Sequence, residues 1–345
     1  VPETCKRFPV ICGPTAGGKS ALALALARAL RADGQDAEIV TADAYQVYRG
    51  MDIGTAKPTP AERAEVVHHV VDVVEPAEAF SVERWRALAE GAIEVCRARG
   101  VVPIVVGGSH LFIKALLEGL FEGPGQDAAL RAQLQAMDAH ERRVELERVD
   151  PQAALRIHRN DVRRTVRALE VFRLTGVPIS AHQQQWRQSG GGDGEGEERS
   201  RPDALLVSLQ WPTEALNRRI NQRVCQMMQQ GLLEEVRALA PTLGPTAREA
   251  LGYKQLLGLV EQGERLGKWP PPEALVDEAT ERIKIETRRF AKNQRTWLKN
   301  LRLTPGGLAL ACGEGTEPGV EVLDLPEQVM AIRAAMALGV HSKKP

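Results

Sequence analysis

The run Gly13-Pro14-Thr15-Ala16-Gly17-Gly18-Lys19-Ser20 constrains this chain more than any other stretch of its 345 residues. It follows the apolar Pro9-Val10-Ile11-Cys12 and passes into the alanine- and leucine-rich stretch Ala21 to Leu30. That succession spells strand, phosphate-binding loop and helix. In such a loop consecutive backbone N–H groups turn inward around a phosphate, and the positive end of the following helix points at it. Lys19 adds a point charge and Ser20 a hydroxyl for Mg²⁺. The pattern grips a polyphosphate without naming it: a nucleoside triphosphate is the default, and a diphosphate ester satisfies the same donors.

Ala37 to Ala42 reads as a second buried strand, ending at Asp43-Ala44-Tyr45-Gln46, and Val101 to Val106 as another that stops at Gly107-Gly108-Ser109-His110. Val70 to Val74 is a third strand or a turn-bounded apolar run, and Ser81 caps a helix that runs to about Arg99. Alternating strands and helices predict an α/β fold, a P-loop NTPase-like doubly wound parallel sheet with ligands at the carboxyl ends of its strands. The loops at Gly13, Asp43 and Gly107 all leave such ends and are expected to converge. The expected organisation is a catalytic core over 8–126, a charged helical insertion over 127–201, the second part of the core over 202–305 and a tail over 306–345. The second part holds a strand at Ala204 to Leu209 and helices at Thr213 to Ala240 and Ala274 to Leu301. Ser189 to Ser200 is too polar to pack and reads as a flexible loop. The tail offers a weak strand at Val320 to Leu323 and a helix near Pro326 to Leu338.

Basic and acidic residues balance at 45 each, which argues against a generic nucleic-acid coat and leaves such binding to local basic faces. Cys5, Cys12, Cys96, Cys225 and Cys312 are scattered without a C-x-x-C pair. They read as buried small hydrophobes in a reducing compartment rather than as disulfides or a zinc site. With no membrane-length apolar run and no signal-peptide pattern, a cytoplasmic protein is expected.

Asp43, just past a buried strand, has three open roles: Mg²⁺ ligand, general base or cap of its loop. Arg288, Lys292, Arg295, Lys299 and Arg302 recur at helical spacing, opposite a stripe of Ile283, Thr287, Phe290, Gln294, Trp297 and Leu301. Such a face is either solvated surface or a phosphate-tracking surface for RNA. Arg219 and Arg223 share a helix face and suit a diphosphate. His110, His68 and His69 show no partner and read as structural or surface residues.

Several runs together resemble the bacterial tRNA dimethylallyltransferase family. They are Gly13 to Ser20, Ala42 to Pro58 with its Asp52-Ile53-Gly54-Thr55-Ala56-Lys57-Pro58, Val106 to Ser109, Arg156 to Asp161, Arg167 to Phe172, Leu251 to Lys254 and Thr287 to Trp297. The resemblance implies transfer of a dimethylallyl group from dimethylallyl diphosphate to N6 of the adenosine 3′ of the anticodon, with no cleavage of ATP. It implies catalytic roles for Asp43 as general base, Ser109 and Arg223. It implies diphosphate binding by Gly13, Pro14, Thr15, Ala16, Gly17, Gly18, Lys19 and Ser20, the last also touching Mg²⁺. Contacts to the tRNA anticodon stem-loop are implied for Asp43, Ala44, Tyr45, Gln46, Ser109, Arg131, Arg163, Arg164, Arg167, Gly252, Tyr253, Lys254, Arg288, Lys292 and Arg295, in a monomeric enzyme with no membrane partner.

Three positions depart from the family pattern: Ala44 where a serine is usual, Ser109 for threonine, and Asn293 for a basic residue. On the residues alone two other readings stay open, a P-loop kinase of a small molecule or nucleotide, and an RNA-binding protein with a purely structural loop.

Overall fold

Six strands form one parallel sheet in the order β3-β2-β4-β1-β5-β6. They are β1 Phe8–Cys12, β2 Ala37–Ala42, β3 His68–His69, β4 Val102–Gly107, β5 Ala204–Gln210 and β6 Leu308–Ala311. This computed structural model describes residues 7–119, 123–183, 201–300, 307–313 and 325–337. The chain divides into two compact units, one of Val1–Glu118 with Ser200–Pro345 and one of Gly119–Arg199.

In the first unit β1, β2 and β4 are buried along their whole length, as expected of a sheet covered on both faces; β1 and β4 are unbroken apolar runs, and β2 carries Glu38 and Thr41 among its apolar residues. The chain steps outward from β1 to β2 to β3, then returns to β4. Right-handed crossovers therefore put α1 (Lys19–Ala32) on one face and α2 (Val82–Ala98) on the other. β1 and β4 are neighbours whose onward connections leave in opposite directions, which opens a crevice at their carboxyl ends. The end of β2 is held by Trp85 of α2, which is fully buried, stacks on Phe112 at 4.7 Å and donates its indole N–H to Thr41 O at 2.8 Å. At the opposite end of β2, Glu38 Oε2 accepts from Arg99 and Cys96 and bonds the His69 ring at 2.7 Å. His69 is therefore a partnered residue of the sheet edge.

Of the two readings of Val70 to Val74, the turn-bounded run holds and the strand does not: Val70 and Asp72 take positive φ, and the backbone bonds to Gln46 and Val47. Only His68–His69 joins the sheet. The helix expected from Thr213 to Ala240 breaks at Gly231 into Thr213–Gln229 and Leu232–Leu239. β6 lies in the tail at Leu308–Ala311, where no strand was expected, and the tail helix spans Leu325–Ala337. The expected loop Ser189 to Ser200 and strand Val320 to Leu323 lie outside the described residues, as do Cys5, Leu301 and Arg302.

The second unit holds α3 (Ala128–Ala136), α4 (Ala139–Val149), α5 (Pro151–Arg156) and α6 (Val162–Thr175). Each starts on an aspartate cap, Asp127, Asp138, Asp150 and Asp161, whose carboxylate accepts from the first turn. Leu134, Leu146, Val166 and Leu169 close a small core of their own. Beside it Glu170 is fully buried and takes both ends of the Arg131 guanidinium, Arg167 at 2.6 Å and the Asp127 N–H. Burial alone would raise the Glu170 pKa; the hydrogen bonds from Arg131 and Arg167 outweigh it and hold the carboxyl below its usual range.

Glu170→Gln is expected to destabilise this unit by about 3 kcal/mol, the low end for a broken buried pair because both arginines stay partly solvated. Because the folded pKa is depressed, the stabilisation is present above the unfolded carboxylate pKa and is lost as pH falls through the folded one. Urea unfolding followed by hydrogen exchange in Gly119–Arg199, at neutral and acid pH, checks both; equal stability of variant and wild type at neutral pH would refute the role.

Candidate active site

The phosphate loop is held from outside. Arg219 Nε donates to Ala16 O at 2.8 Å and Trp211 Nε1 to Gly17 O at 3.0 Å, with the guanidinium stacked 4.5 Å over the indole. A trans peptide sends its N–H opposite to its C=O, so the Gly17 carbonyl on Trp211 turns the Gly18 N–H the other way. Gly18 then opens α1, whose first-turn N–H groups have no intrahelical acceptor. Gly18, Lys19 and Ser20 thus offer donors toward one point. Two other amides of the loop are taken: Gly17 N–H by Pro14 O at 3.1 Å, and Thr15 N–H by Gln294 Oε1 at 2.7 Å.

Lys19 lies at the base of this loop, its ammonium on Pro14 O at 2.9 Å. Burial and the neighbouring Arg223 push it down to about 8, against a smaller opposite pull from Asp43. Burial likewise lowers Arg223, with Asp43 opposing and Arg219 adding to the shift. Three cations, Lys19, Arg219 and Arg223, therefore surround the loop, with Asp43 as the carboxylate that both Lys19 and Arg223 feel. That excess suits a bound polyanion. The thiol beneath, Cys12, is pushed up to about 12 by burial and stays a neutral filler.

Asp43 follows the end of β2. Its Oδ1 accepts from the N–H groups of Tyr45 (2.9 Å) and Gln46 (3.3 Å), while among the described residues Oδ2 accepts nothing. One oxygen fixes the carboxylate and the other is left for chemistry. Ser109 lies alongside: its Oγ accepts from Ala44 N–H at 2.9 Å and its own N–H reaches Ala42 O at 3.2 Å. This approach is possible because Gly107 has no side chain; a Cβ there would stand 2.0 Å from Ala42 O. The loops at Gly13, Asp43 and Gly107 thus meet, with Gly108 placed so that a Cβ would lie 3.4 Å from Gly13 O and 3.5 Å from Lys19 Nζ.

Behind the Asp43 loop, the run Asp52 to Pro58 is a brace. Glu235 accepts the N–H groups of Asp52, Ile53 and Gly54 and the hydroxyl of Tyr253. Buried Lys57 binds Tyr48 O, Asp52 and Asp72, and Gln46 Nε2 donates to Thr55 O and Ala56 O at 3.1 Å. Neither Glu235 nor Trp211 stood out in the sequence. Gln294 carried a signal, a long amide in a mostly apolar stripe, and it is buried; Phe290, expected in that stripe, is exposed, and Ala291 and Leu298 take the core positions.

The residues expected to meet RNA divide by environment. Arg163, Arg164 and Lys292 are exposed. Arg288 and Arg295, part-buried, bond the neutral Asn221 and Thr213 and keep their charge uncompensated by these partners. Lys254 pairs with Glu286 at 2.8 Å, Arg131 and Arg167 with Glu170, and Tyr253 and Gly252 are buried. His110 stacks on Trp297 at 4.5 Å, and burial, with Lys19 nearby, lowers it to about 4. It is a neutral ring in the wall of the site. For Mg²⁺ the donor set fits: the Ser20 hydroxyl is exposed at the first turn of α1, beside the amides that would hold phosphate, and such an ion keeps most of its waters and takes phosphate oxygens.

With Lys19 depressed, diphosphate affinity is expected to hold steady up to about pH 8 and to fall above it, as the free protein loses the lysine proton. Calorimetric titration with diphosphate at pH 6.5–9.5 (roughly the span around that value) should show this decline in the wild type and not in Lys19→Met. A parallel decline in both would assign it to the ligand's own titration.

The family model for IPP transferase matches residues 46–301. A tRNA dimethylallyltransferase of Bifidobacterium adolescentis is 43% identical over 264 residues, 75% of this chain and 74% of that one. One from Anaeromyxobacter dehalogenans is 42% identical over 301 residues, 86% and 93% of the two chains. Among solved structures, the full-length tRNA isopentenylpyrophosphate transferase of Bacillus halodurans superposes with a TM-score of 0.61 at 30% identity, covering 96% of this chain and 97% of that one. A eukaryotic dimethylallyltransferase described as acting on tRNA gives a TM-score of 0.69 at 26% identity over 89% and 74% of the two chains. With the family model matched over residues 46–301 and relatives 42–43% identical across most of its length, this chain belongs to the IPP transferase family.

Proposed function

We propose that the chain transfers the dimethylallyl group of dimethylallyl diphosphate to N6 of the adenosine immediately 3′ of the anticodon, in tRNAs reading codons that start with U, and releases diphosphate. The observation that carries this reading is Asp43: one carboxylate oxygen is spent on its own loop, the other is free, and the cation-lined loop stands beside it. An exocyclic amine is a poor nucleophile because its lone pair is delocalised into the ring. Placement, proton removal and stabilisation of the leaving group must then supply the rate.

The N6 lone pair bonds to the allylic C1 as the C1–O bond breaks, and that electron pair departs on the diphosphate. Asp43 takes the N6 proton through Oδ2. Lys19, Arg223 and the N–H groups of Gly18, Lys19 and Ser20 receive the charge that develops on the leaving group. Mg²⁺, held through Ser20, would neutralise more of that charge when bound. Ser109 braces the Asp43 loop through Ala44 N–H, and the alanine at 44 leaves that bond intact because the backbone makes it.

Phosphate contacts to the tRNA stem-loop fall to Arg163, Arg164, Arg288, Lys292 and Arg295, whose charges are exposed or lack a buried carboxylate partner. Arg131, Arg167 and Lys254 act through the ion pairs that shape their helices. No helix among the described residues is long and apolar enough to cross a membrane. As part of this proposal, the enzyme works in the cytoplasm as a monomer.

Labelled dimethylallyl diphosphate with unmodified tRNA should give one modified adenosine per diphosphate released; with ATP in its place, ADP release coupled to tRNA would refute the donor. Asp43→Asn should slow single-turnover transfer about 10²–10⁴-fold while donor and tRNA still bind. Recovery of that rate at high Mg²⁺ would instead make Asp43 a metal ligand.

A further inference from the structure

Allyl transfer needs the diphosphate loop and the Asp43 loop to keep one separation. A single buried side chain bears on both. Gln294 is 2% exposed; its Oε1 accepts the Thr15 N–H at 2.7 Å and its Nε2 donates to Gly108 O at 2.9 Å. With a donor at one end and an acceptor at the other, the amide has one satisfied orientation. Gly108 is packed on it, since a Cβ there would come within 2.6 Å of Gln294 Nε2. The next residue, Ser109, accepts from Ala44 N–H, directly after Asp43. An unbroken line of bonds therefore runs from Thr15 through Gln294, Gly108 and Ser109 to Ala44 and Asp43.

We propose that Gln294 is a positioning residue for the transfer: it sets the spacing between the phosphate loop and the general base, so that the allylic carbon meets the adenosine amine and not water. This rests on the function proposed above. Gln294 lies on the helix Glu273–Asn300, which also carries Arg288, Lys292 and Arg295, so both loops are referenced to the helix that presents those cations.

The consequence of losing this spacing is chemical. When the amine is misplaced, C1–O cleavage can be completed by water: the electron pair leaves on diphosphate, a water oxygen bonds to the carbon and loses a proton, and dimethylallyl alcohol results. The ratio of alcohol to modified adenosine is independent of how much of the sample is folded, so a merely structural role would not move it.

Gln294→Met keeps the volume and removes both hydrogen bonds; Gln294→Glu keeps the acceptor for Thr15 and loses the donor to Gly108. With labelled donor and tRNA, wild type should yield modified adenosine with little alcohol. Both variants should transfer more slowly, about 10²-fold for Gln294→Met, with alcohol a substantial share of the product. A wild-type product ratio in both variants would overturn the proposal, whatever their rates. So would a folded variant that loses both products together, because Gln294 would then act on ionisation of the donor and not on its aim. A wild-type protein that makes no modified adenosine from this donor would overturn the function itself.

Discussion

A phosphate loop must hold several N–H groups facing one point, and its own glycine-rich sequence does not keep them there. Here the constraint is met by side chains that arrive from the far end of the chain: Trp211 after β5, Arg219 on the next helix and Gln294 on the long helix bond three consecutive residues, Gly17, Ala16 and Thr15. Donors that are already oriented need no reorganisation when charge develops, which is where a preformed site gains over water. The second half of the core thus serves the loop that opens the first half, and the sheet order that brings β5 beside β1 is what lets it do so.

The electrostatics follow from the same burial. Lys19 is lowered because it is desolvated beside Arg223, so an arriving diphosphate relieves a repulsion as well as forming bonds. Asp43 stands near enough to feel both cations yet commits only Oδ1 to its own loop. A direct ion pair to Lys19 would have closed the site on itself. The backbone turn at Tyr45 and Gln46, braced by Glu235 and Lys57 behind it, holds the carboxylate through one oxygen and leaves the other open.

Much of this was legible in the residues. The parallel sheet followed from buried apolar runs alternating with capped helices, and the aspartate caps of the helical unit are local signals that need no tertiary help. Asp43, Ser109 and Lys19 could be placed near one another because each ends or follows a strand. What could not be read was which polar side chain reaches across the fold. Gln294 and Trp211 are 279 and 194 positions from their partners, and although the amide in its stripe marks Gln294 as unusual, nothing local says which groups either side chain reaches. The split between free and paired cations was hidden for the same reason: Arg131 and Arg163 look alike in sequence, and only the buried Glu170 separates them. The run Val70 to Val74 stayed open between strand and turn because its backbone bonds go to Gln46 and Val47 of the Asp43 loop, a partner that no local pattern reveals.

The preset loop is tested most directly by a crystal structure of the protein with a non-ionising thiolodiphosphate analogue of the allylic donor. The diphosphate should bond the N–H groups of Gly18, Lys19 and Ser20, Lys19 Nζ should move from Pro14 O onto phosphate, and Thr15 N–H should remain on Gln294. A complex in which Gln294 has released Thr15 and that amide has turned to the phosphate would contradict a loop whose shape is set from outside.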